Sequence, residues 1–263
     1  MKKVLIIEAS LRSGYTKRAV EKICELIKDT AETEIINIKN ENIAFCSGCC
    51  ACLSSGSAKC PYKEDAAQKI LQKMVEADGV IFVLPNYSMQ VPAQLKVLFD
   101  RLAYVFHRPR LFHKACLPVI IHGVYGGNKV AKYVNEIMDF WGMKTVKGAV
   151  ISGGIYPATA QKEEINVKDK IKLNKALERF KKELFSNKVR KPSLFKMFIF
   201  SATRASMKYL EEALPADKQF FKDQGWLEAE YYYPVKINIF KKAVSAFMDN
   251  MIKNMAKKSK KSQ

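Results

Sequence analysis

Five cysteines fall between residues 46 and 60, in the run CSGCCACLSSGSAKC, and only Cys24 and Cys116 lie elsewhere. The spacing is Cys46-x2-Cys49-x2-Cys52-x7-Cys60, with Cys50 as an extra thiol. Three close thiolates with one more distant partner suit a four-cysteine cluster of the [4Fe-4S] kind, as in the compact runs of ferredoxins. Zinc is chemically open, although structural zinc sites usually pair two separated C-x2-C knuckles. A redox-sensing pair is a further reading. So is a loop packed by inert thiols, since free cysteine behaves as a small hydrophobe. Disulfides fit poorly. The count of seven is odd, a chain of 263 residues needs no staples, and the opening apolar run VLII stops at Glu8, too short for a secretory leader. The chain therefore reads as cytoplasmic, with Cys24 and Cys116 in the core.

Three other segments carry polar groups in patterns suited to a ligand. The first, ASLRSGYT (9–16), offers hydroxyls at Ser10, Ser13 and Thr16, a cation at Arg12 and backbone freedom at Gly14. Set at the start of a helix, such a loop makes a phosphate cradle. The alternative is an ordinary turn with Thr16 as the helix cap. The second, PNYSMQVPAQLKVLFDR (85–101), places the flat ring of Tyr87 among the backbone groups of Asn86, Ser88 and Met89. A planar heterocycle needs that combination of apolar face and edge hydrogen bonds. The alternative is a plain strand-to-helix turn. The third, HGVYGGN (122–128), has Gly126 and Gly127 for close backbone approach and Tyr125 to lie against a ring. By itself it is also a tight turn.

The elements that must hold these loops follow from hydrophobic periodicity. KVLIIEA (3–9) and GVIFVL (79–84) are continuous apolar runs, as strands covered on both faces require. TEIINI (33–38), CLPVIIHG (116–123) and KTVKGAVISGG (144–154) complete five strands, with Pro118 near the start of the fourth. Apolar residues at helical spacing predict helices at 15–29, 63–77, 92–106, 129–141 and 163–185. Strands alternating with helices imply a doubly wound α/β fold with a parallel sheet. Ligands in such sheets sit beyond the carboxyl ends of the strands, where strand order reverses. The loops after strands one, three and four are the ones that can meet there.

Taken together the loops resemble the NAD(P)H-dependent FMN reductase family, a branch of the flavodoxin-like fold with strand order 2-1-3-4-5. The first signature is matched by Ala9-Ser10-Leu11-Arg12 and Gly14-Tyr15-Thr16. The second is matched by Leu84-Pro85-Asn86-Tyr87, Ala93, Leu95-Lys96 and Asp100-Arg101. Ala9 stands where the family usually has Gly, and Leu84 where it has Ser or Thr. The resemblance implies that Ser10, Arg12, Tyr15 and Thr16 hold the FMN phosphate. It implies that Pro85, Asn86, Tyr87 and Ser88 line the isoalloxazine, and that Gly123, Tyr125 and Gly126 cover its other side. Chemistry then belongs to the flavin. Hydride would pass from NAD(P)H through FMN to a flavin, quinone, nitro or azo compound, or to a protein. No side chain need act as acid or base, so no catalytic residue is named, and Asp100 and Arg101 are expected to cap and pin their helix. The iron–sulfur flavoproteins belong to the same wider family and carry a compact cysteine motif in this loop. They imply a cluster on Cys46, Cys49, Cys52 and Cys60, and an electron carrier as the alternative function.

The formal charge is +19. From Ser186 onward 16 Lys/Arg face 7 Asp/Glu, a net of +9 in 78 residues, so basicity is general but denser at the end. It favours anionic partners. A non-enzymatic basic module is the remote alternative, but no nucleic-acid motif is present and aromatics do not interleave with a single basic stripe. The reading is of two parts, a flavodoxin-like domain at 1–185 and a mainly helical basic extension at 186–263. The extension has apolar stretches at 193–214 and 240–255 with aromatic GWLEAEYYYPVKI between them. It is expected to pack on the domain or across a homo-oligomer, a dimer or tetramer. A helix lying on a membrane surface is the rival. No run is apolar and long enough to span a membrane, and the closing KKSKKSQ reads as a disordered basic tail.

Overall fold

A computed structural model describes residues 1–12, 14–153, 165–210 and 214–259. The described residues form two compact units: 1–47 with 64–187, and 48–63 with the residues from 188 onward. The cysteine segment from Gly48 to Lys63 thus groups with the C-terminal helices, although it lies between two strands of the sheet in sequence.

The first unit runs β1 (Lys2–Glu8), α1 (Tyr15–Ile27), β2 (Ala31–Asn37), then, past the cysteine segment with its short α2 (Ala51–Ser54), α3 (Ala66–Glu76) and β3 (Gly79–Pro85). It continues through α4 (Ala93–Arg101), β4 (Ala115–His122), α5 (Gly127–Phe140), β5 (Lys144–Thr145), β6 (Ala149–Ser152) and α6 (Val167–Leu184). The sheet is parallel with order 2-1-3-4-5, and β6 also pairs with β4. The flavodoxin-like architecture is therefore present, and order reverses between β1 and β3.

Alternation along the buried strands sends side chains to two cores. Val4, Ile6, Ile81, Val83, Leu117, Val119 and Ile121 pack with α1 (Ala19, Val20, Ile23, Ile27) and α6 (Leu173, Ala176, Leu177, Phe180). On the opposite face Phe82 meets Phe99 of α4 edge-on at 6.1 Å, and Phe99 meets Trp141 at 5.8 Å.

The expected single fifth strand at 144–154 is instead two pieces, and Gly154 lies outside the described residues. Pro118 is the reason. The ladder begins with Ala115↔Lys144 and Cys116↔Thr145, and Val146 N donates to Cys116 O at 3.0 Å. A parallel partner would next return an N–H from residue 118, and proline has none. Val146 O accepts from Asn135 Nδ2 instead, at 3.0 Å. Pairing resumes one residue out of step at Val119↔Ala149, so the edge strand carries a bulge. Gly148 fits there because an added Cβ would stand 2.6 Å from Pro118 O.

The second unit holds α7 (Leu194–Tyr209), α8 (Pro215–Asp223) and α9 (Ile239–Ser259). The aromatic segment turns inward: Phe200 meets Tyr232 at 4.6 Å, Trp226 meets Tyr232 at 4.7 Å, and Trp226 Nε1 donates to Tyr232 O at 3.0 Å. Arg204 on α7 donates to Ala229 O (2.6 Å) and to Ser245 Oγ (3.0 Å), and pairs with Asp249 (2.5 Å), tying α7 to α9. Helix α9 runs on through Lys257, so the expected basic tail is partly helical, and residues 260–263 lie outside the described residues. Among the described residues no helix is long and apolar enough to cross a membrane.

One buried ion pair braces the first unit. Arg101 at the end of α4 donates from Nε (3.1 Å) and Nη2 (2.9 Å) to Asp65 Oδ2. That oxygen also accepts from Ala44 N at 3.0 Å, while Asp65 Oδ1 caps α3 through Ala67 N at 3.0 Å. The side chains are 2% and 7% exposed, so removing the cation leaves a buried carboxylate without its countercharge, held only by the two backbone N–H groups. Arg101→Met is expected to cost about 3–5 kcal/mol. Lys96→Ala, which breaks only the exposed α4 pair with Asp100, should cost under about 0.5 kcal/mol. Denaturant midpoints of the two variants test this, and equal losses would refute the bracing role.

Candidate functional site

The three loops leave adjacent strands at the carboxyl edge of the sheet. β1 and β3 end in register, Glu8 opposite Val83, and Ala9 N extends the ladder to Val83 O at 2.9 Å. β3 and β4 end with Pro85 opposite Ile121, and Asn86 N donates to Ile121 O at 2.7 Å. All three loops belong to the first unit.

In the first loop Ser10 is buried, and its Oγ accepts from Arg12 N (3.3 Å) and donates to Arg12 O (2.9 Å). This hydroxyl shapes the turn. Thr16 is not the helix cap. The cap position is Gly14, with no side-chain cap hydrogen bond and no acidic residue in the first turn, and Thr16 is buried one residue inside the helix. Ser13 lies outside the described residues. The Tyr15 ring packs partly against the core, with Arg18 over its face at 5.7 Å. Burial pushes its phenol above the ordinary range, against the opposing backbone hydrogen bond of Asn166.

The second loop closes as a two-residue hairpin. Tyr87 N donates to Gln90 O (3.1 Å) and Gln90 N to Tyr87 O (2.9 Å). Ser88 (φ 48°) and Met89 (φ 63°) are both left-handed. This is the backbone of a type I′ turn, which ordinarily selects Asn and Gly. Two non-glycine residues there store about 1–2 kcal/mol each.

Asn86 joins the second loop to the third. Its Nδ2 donates to Tyr125 O at 2.8 Å, while its Oδ1 is buried without a hydrogen-bond partner. Gly126 has φ +88°, and a Cβ there would stand 3.0 Å from Asn86 Nδ2 and 3.4 Å from Met89 Cγ. Beside this latch Tyr87 and Met89 (38% each), Val124 (71%) and Tyr125 (67%) expose apolar surface, with Gly123 among them. The result is an apolar platform edged by polar backbone.

Helix capping separates this edge of the sheet from the rest. The helices that follow β1, β3 and β4 start at Gly14, Pro92 and Gly126, none with a side-chain cap. By contrast α3, α6 and α7 are capped by Asp65, Asn166 and Ser193. Uncapped first turns leave N–H groups and a positive dipole end for a ligand.

Two polar groups here lay outside the sequence reading. Glu8, the one acid in the first apolar run, is buried and accepts from Asn37 Nδ2 at 2.8 Å; burial raises its carboxyl above the usual range, opposed by Lys39 and Asn37. His122 ends β4 with its Nδ1 buried and unpaired.

The cysteines are arranged differently. Cys46 falls in the first unit and Cys49, Cys50, Cys52 and Cys60 in the second. Cys46, Cys49 and Cys50 are exposed, and Cys52 and Cys60 half-buried. Cys50 is left-handed (φ 56°), and its carbonyl accepts from Leu53 N at 2.9 Å to start α2. Among the described residues no group of three or more His, Cys, Asp or Glu is placed to hold a metal ion. Cys24 packs against the sheet core and Cys116 is buried, as expected, with burial pushing the Cys116 thiol far up.

Comparison with known proteins bears on what this edge binds. The model of the NADPH-dependent FMN reductase family matches residues 2–156. An iron–sulfur flavoprotein of Archaeoglobus fulgidus is 27% identical over 231 residues, covering 86% of this chain and 100% of that protein. Another, from Methanocaldococcus jannaschii, is 41% identical over 101 residues, 38% of this chain and 51% of that one. An NADH:FMN oxidoreductase solved in its apo form superimposes with a TM-score of 0.53 at 17% identity, covering 72% of this chain and 92% of that structure. The match spans the sheet and all three loops: the chain belongs to the NADPH-dependent FMN reductase family and is an FMN-dependent oxidoreductase.

Proposed function

We propose that the chain takes hydride from NAD(P)H through FMN bound at the carboxyl edge of β1, β3 and β4, and passes it to a flavin, quinone, nitro or azo compound, or a protein. The observation that carries this reading is the run of three uncapped helix starts there, while the other two helices of the first unit, α3 and α6, are capped. Bound FMN supplies the hydride acceptance and donation. The chain's own residues bind and orient. The α1 N–H groups and Arg12 take the phosphate, with Ser10 fixing the turn and Tyr15 and Thr16 the helix start. Pro85, Asn86, Tyr87 and Ser88 meet the ring, and Asn86 Oδ1 is an acceptor in need of a ring donor. Gly123, Tyr125 and Gly126 complete the wall. No side chain is required to move a proton. We place the protein in the cytoplasm as a homo-oligomer, dimer or tetramer, whose mass light scattering would read.

Two substitutions separate phosphate from ring recognition. Arg12→Ala should weaken FMN about 10- to 100-fold, the range for a lost hydrogen bond to a charged group, and leave riboflavin affinity unchanged. Equal loss for both flavins would contradict the assignment. Gly126→Ala puts a side chain at φ +88° against Asn86. It should weaken FMN and riboflavin alike, by about tenfold for about 1–3 kcal/mol of strain. Fluorescence titration reads both.

A second reading, an iron–sulfur electron carrier, is favoured by the names of the two relatives and by the four-thiol spacing. On this reading Cys46, Cys49, Cys52 and Cys60 would hold the cluster. Anaerobically purified chain would then carry about four irons per chain, lost in Cys49→Ser with FMN retained. Iron absent from the anaerobic protein rejects this reading and leaves the flavin assignment standing.

A further inference from the structure

Helix α9 presents two neighbouring apolar stripes, and only one is covered. Ser245, Met248 and Ile252 pack on α7 around Ala205 and Arg204. Beside them run Phe240, Val244, Phe247, Met251 and Met255, spaced by three and four on one face. Phe240 and Phe247 are 64% exposed, Met255 59% and Met251 38%, with Ile239 at the helix start 87% exposed. On α7, Phe195 (59%) and Phe198 (42%) are exposed as well. A surface helix ordinarily limits its apolar stripe to what its neighbours bury; this one continues past it.

Charge decides what can cover that face. α9 carries Lys241, Lys242, Lys253, Lys257 and Lys258 against one acid, Asp249. Asp249 pairs with Arg204 of α7, Lys242 pairs with Glu230, and Lys241 Nζ donates to Pro192 O at 2.5 Å. The last two turns thus hold Lys253, Lys257 and Lys258 with no acid, and the sequence adds Lys260 and Lys261 directly after. A second copy laid on the same stripe would set these lysines against their own kind, which like-charge repulsion opposes. An anionic lipid surface satisfies both features: apolar side chains enter the headgroup–acyl boundary while lysine stems reach outward to phosphates.

We propose that the Phe240–Met255 stripe of α9 docks the protein on an anionic bilayer surface. The inference is independent of the flavin assignment. The test uses full chain saturated with FMN and vesicles of phosphatidylcholine alone or with about one third phosphatidylglycerol. Co-sedimentation should need the anionic lipid and fall with added salt. Phe247→Ser/Met251→Ser should lower partition at least about tenfold, with helical circular dichroism and bound FMN unchanged. Lys257→Gln/Lys258→Gln should lower it about fivefold per lysine, and reads the charge at the end of the same stripe should the apolar variant fail to fold. No binding to the anionic vesicles overturns the proposal. So does binding that neither variant weakens, or a drop in oligomeric mass in the apolar variant, which would give the face to a second copy.

Discussion

Asn86 makes one connection on each side of its peptide. Its backbone N–H closes the β3–β4 ladder on Ile121 O, and its side-chain amide reaches Tyr125 O in the next loop. Those bonds fix the second and third loops to each other before any ligand arrives. They use the backbone N–H and one amide N–H of the residue and leave its side-chain acceptor, Oδ1, buried and unmatched. Leaving such an oxygen unpaired costs about 1–3 kcal/mol, so a ligand that donates to it gains that back on binding. Gly126 is required by the same contact, because a Cβ there would meet the amide at 3.0 Å.

The rest of the edge follows from what parallel sheets do at a reversal of strand order. Connections leave β1 and β3 in opposite directions, so a crevice opens between them. The helices beginning there keep their first-turn N–H groups clear of side-chain caps, and α1 brings no carboxylate into its first turn. A phosphomonoester and a tricyclic ring are a long ligand with one charged end. A dipole end beside an apolar platform of Tyr87, Met89, Val124 and Tyr125 suits both ends at once. The strain held at Ser88 and Met89 belongs to the same economy of shape: the tight hairpin keeps both residues exposed rather than in the core.

Much of this was legible in the residues. Continuous apolar runs gave the central strands, helical spacing gave the first-unit helices, and Arg101 was expected to pin its helix, as its buried pair with Asp65 does. Local pattern failed where a neighbour decides. Pro118 was visible, but its effect falls on the next strand, which it splits. The left-handed pair Ser88–Met89 carries none of the Gly or Asn that marks such turns. Thr16 looks like a cap but follows a glycine that takes the position. Helix α8 was hidden beside a charged and aromatic stretch, and Pro215 at its first turn was the signal for it. The spacing of the cysteines said nothing of which unit carries them, because α2 packs with α8, a partner more than 150 residues away.

The structure of the FMN-reconstituted chain tests the central claim most directly. The account predicts the phosphate on the N–H groups at the head of α1 beside Arg12, and a ring N–H donating to Asn86 Oδ1 with the Asn86–Tyr125 bond intact. A flavin bound elsewhere, or one that leaves Asn86 Oδ1 unmatched, would contradict it.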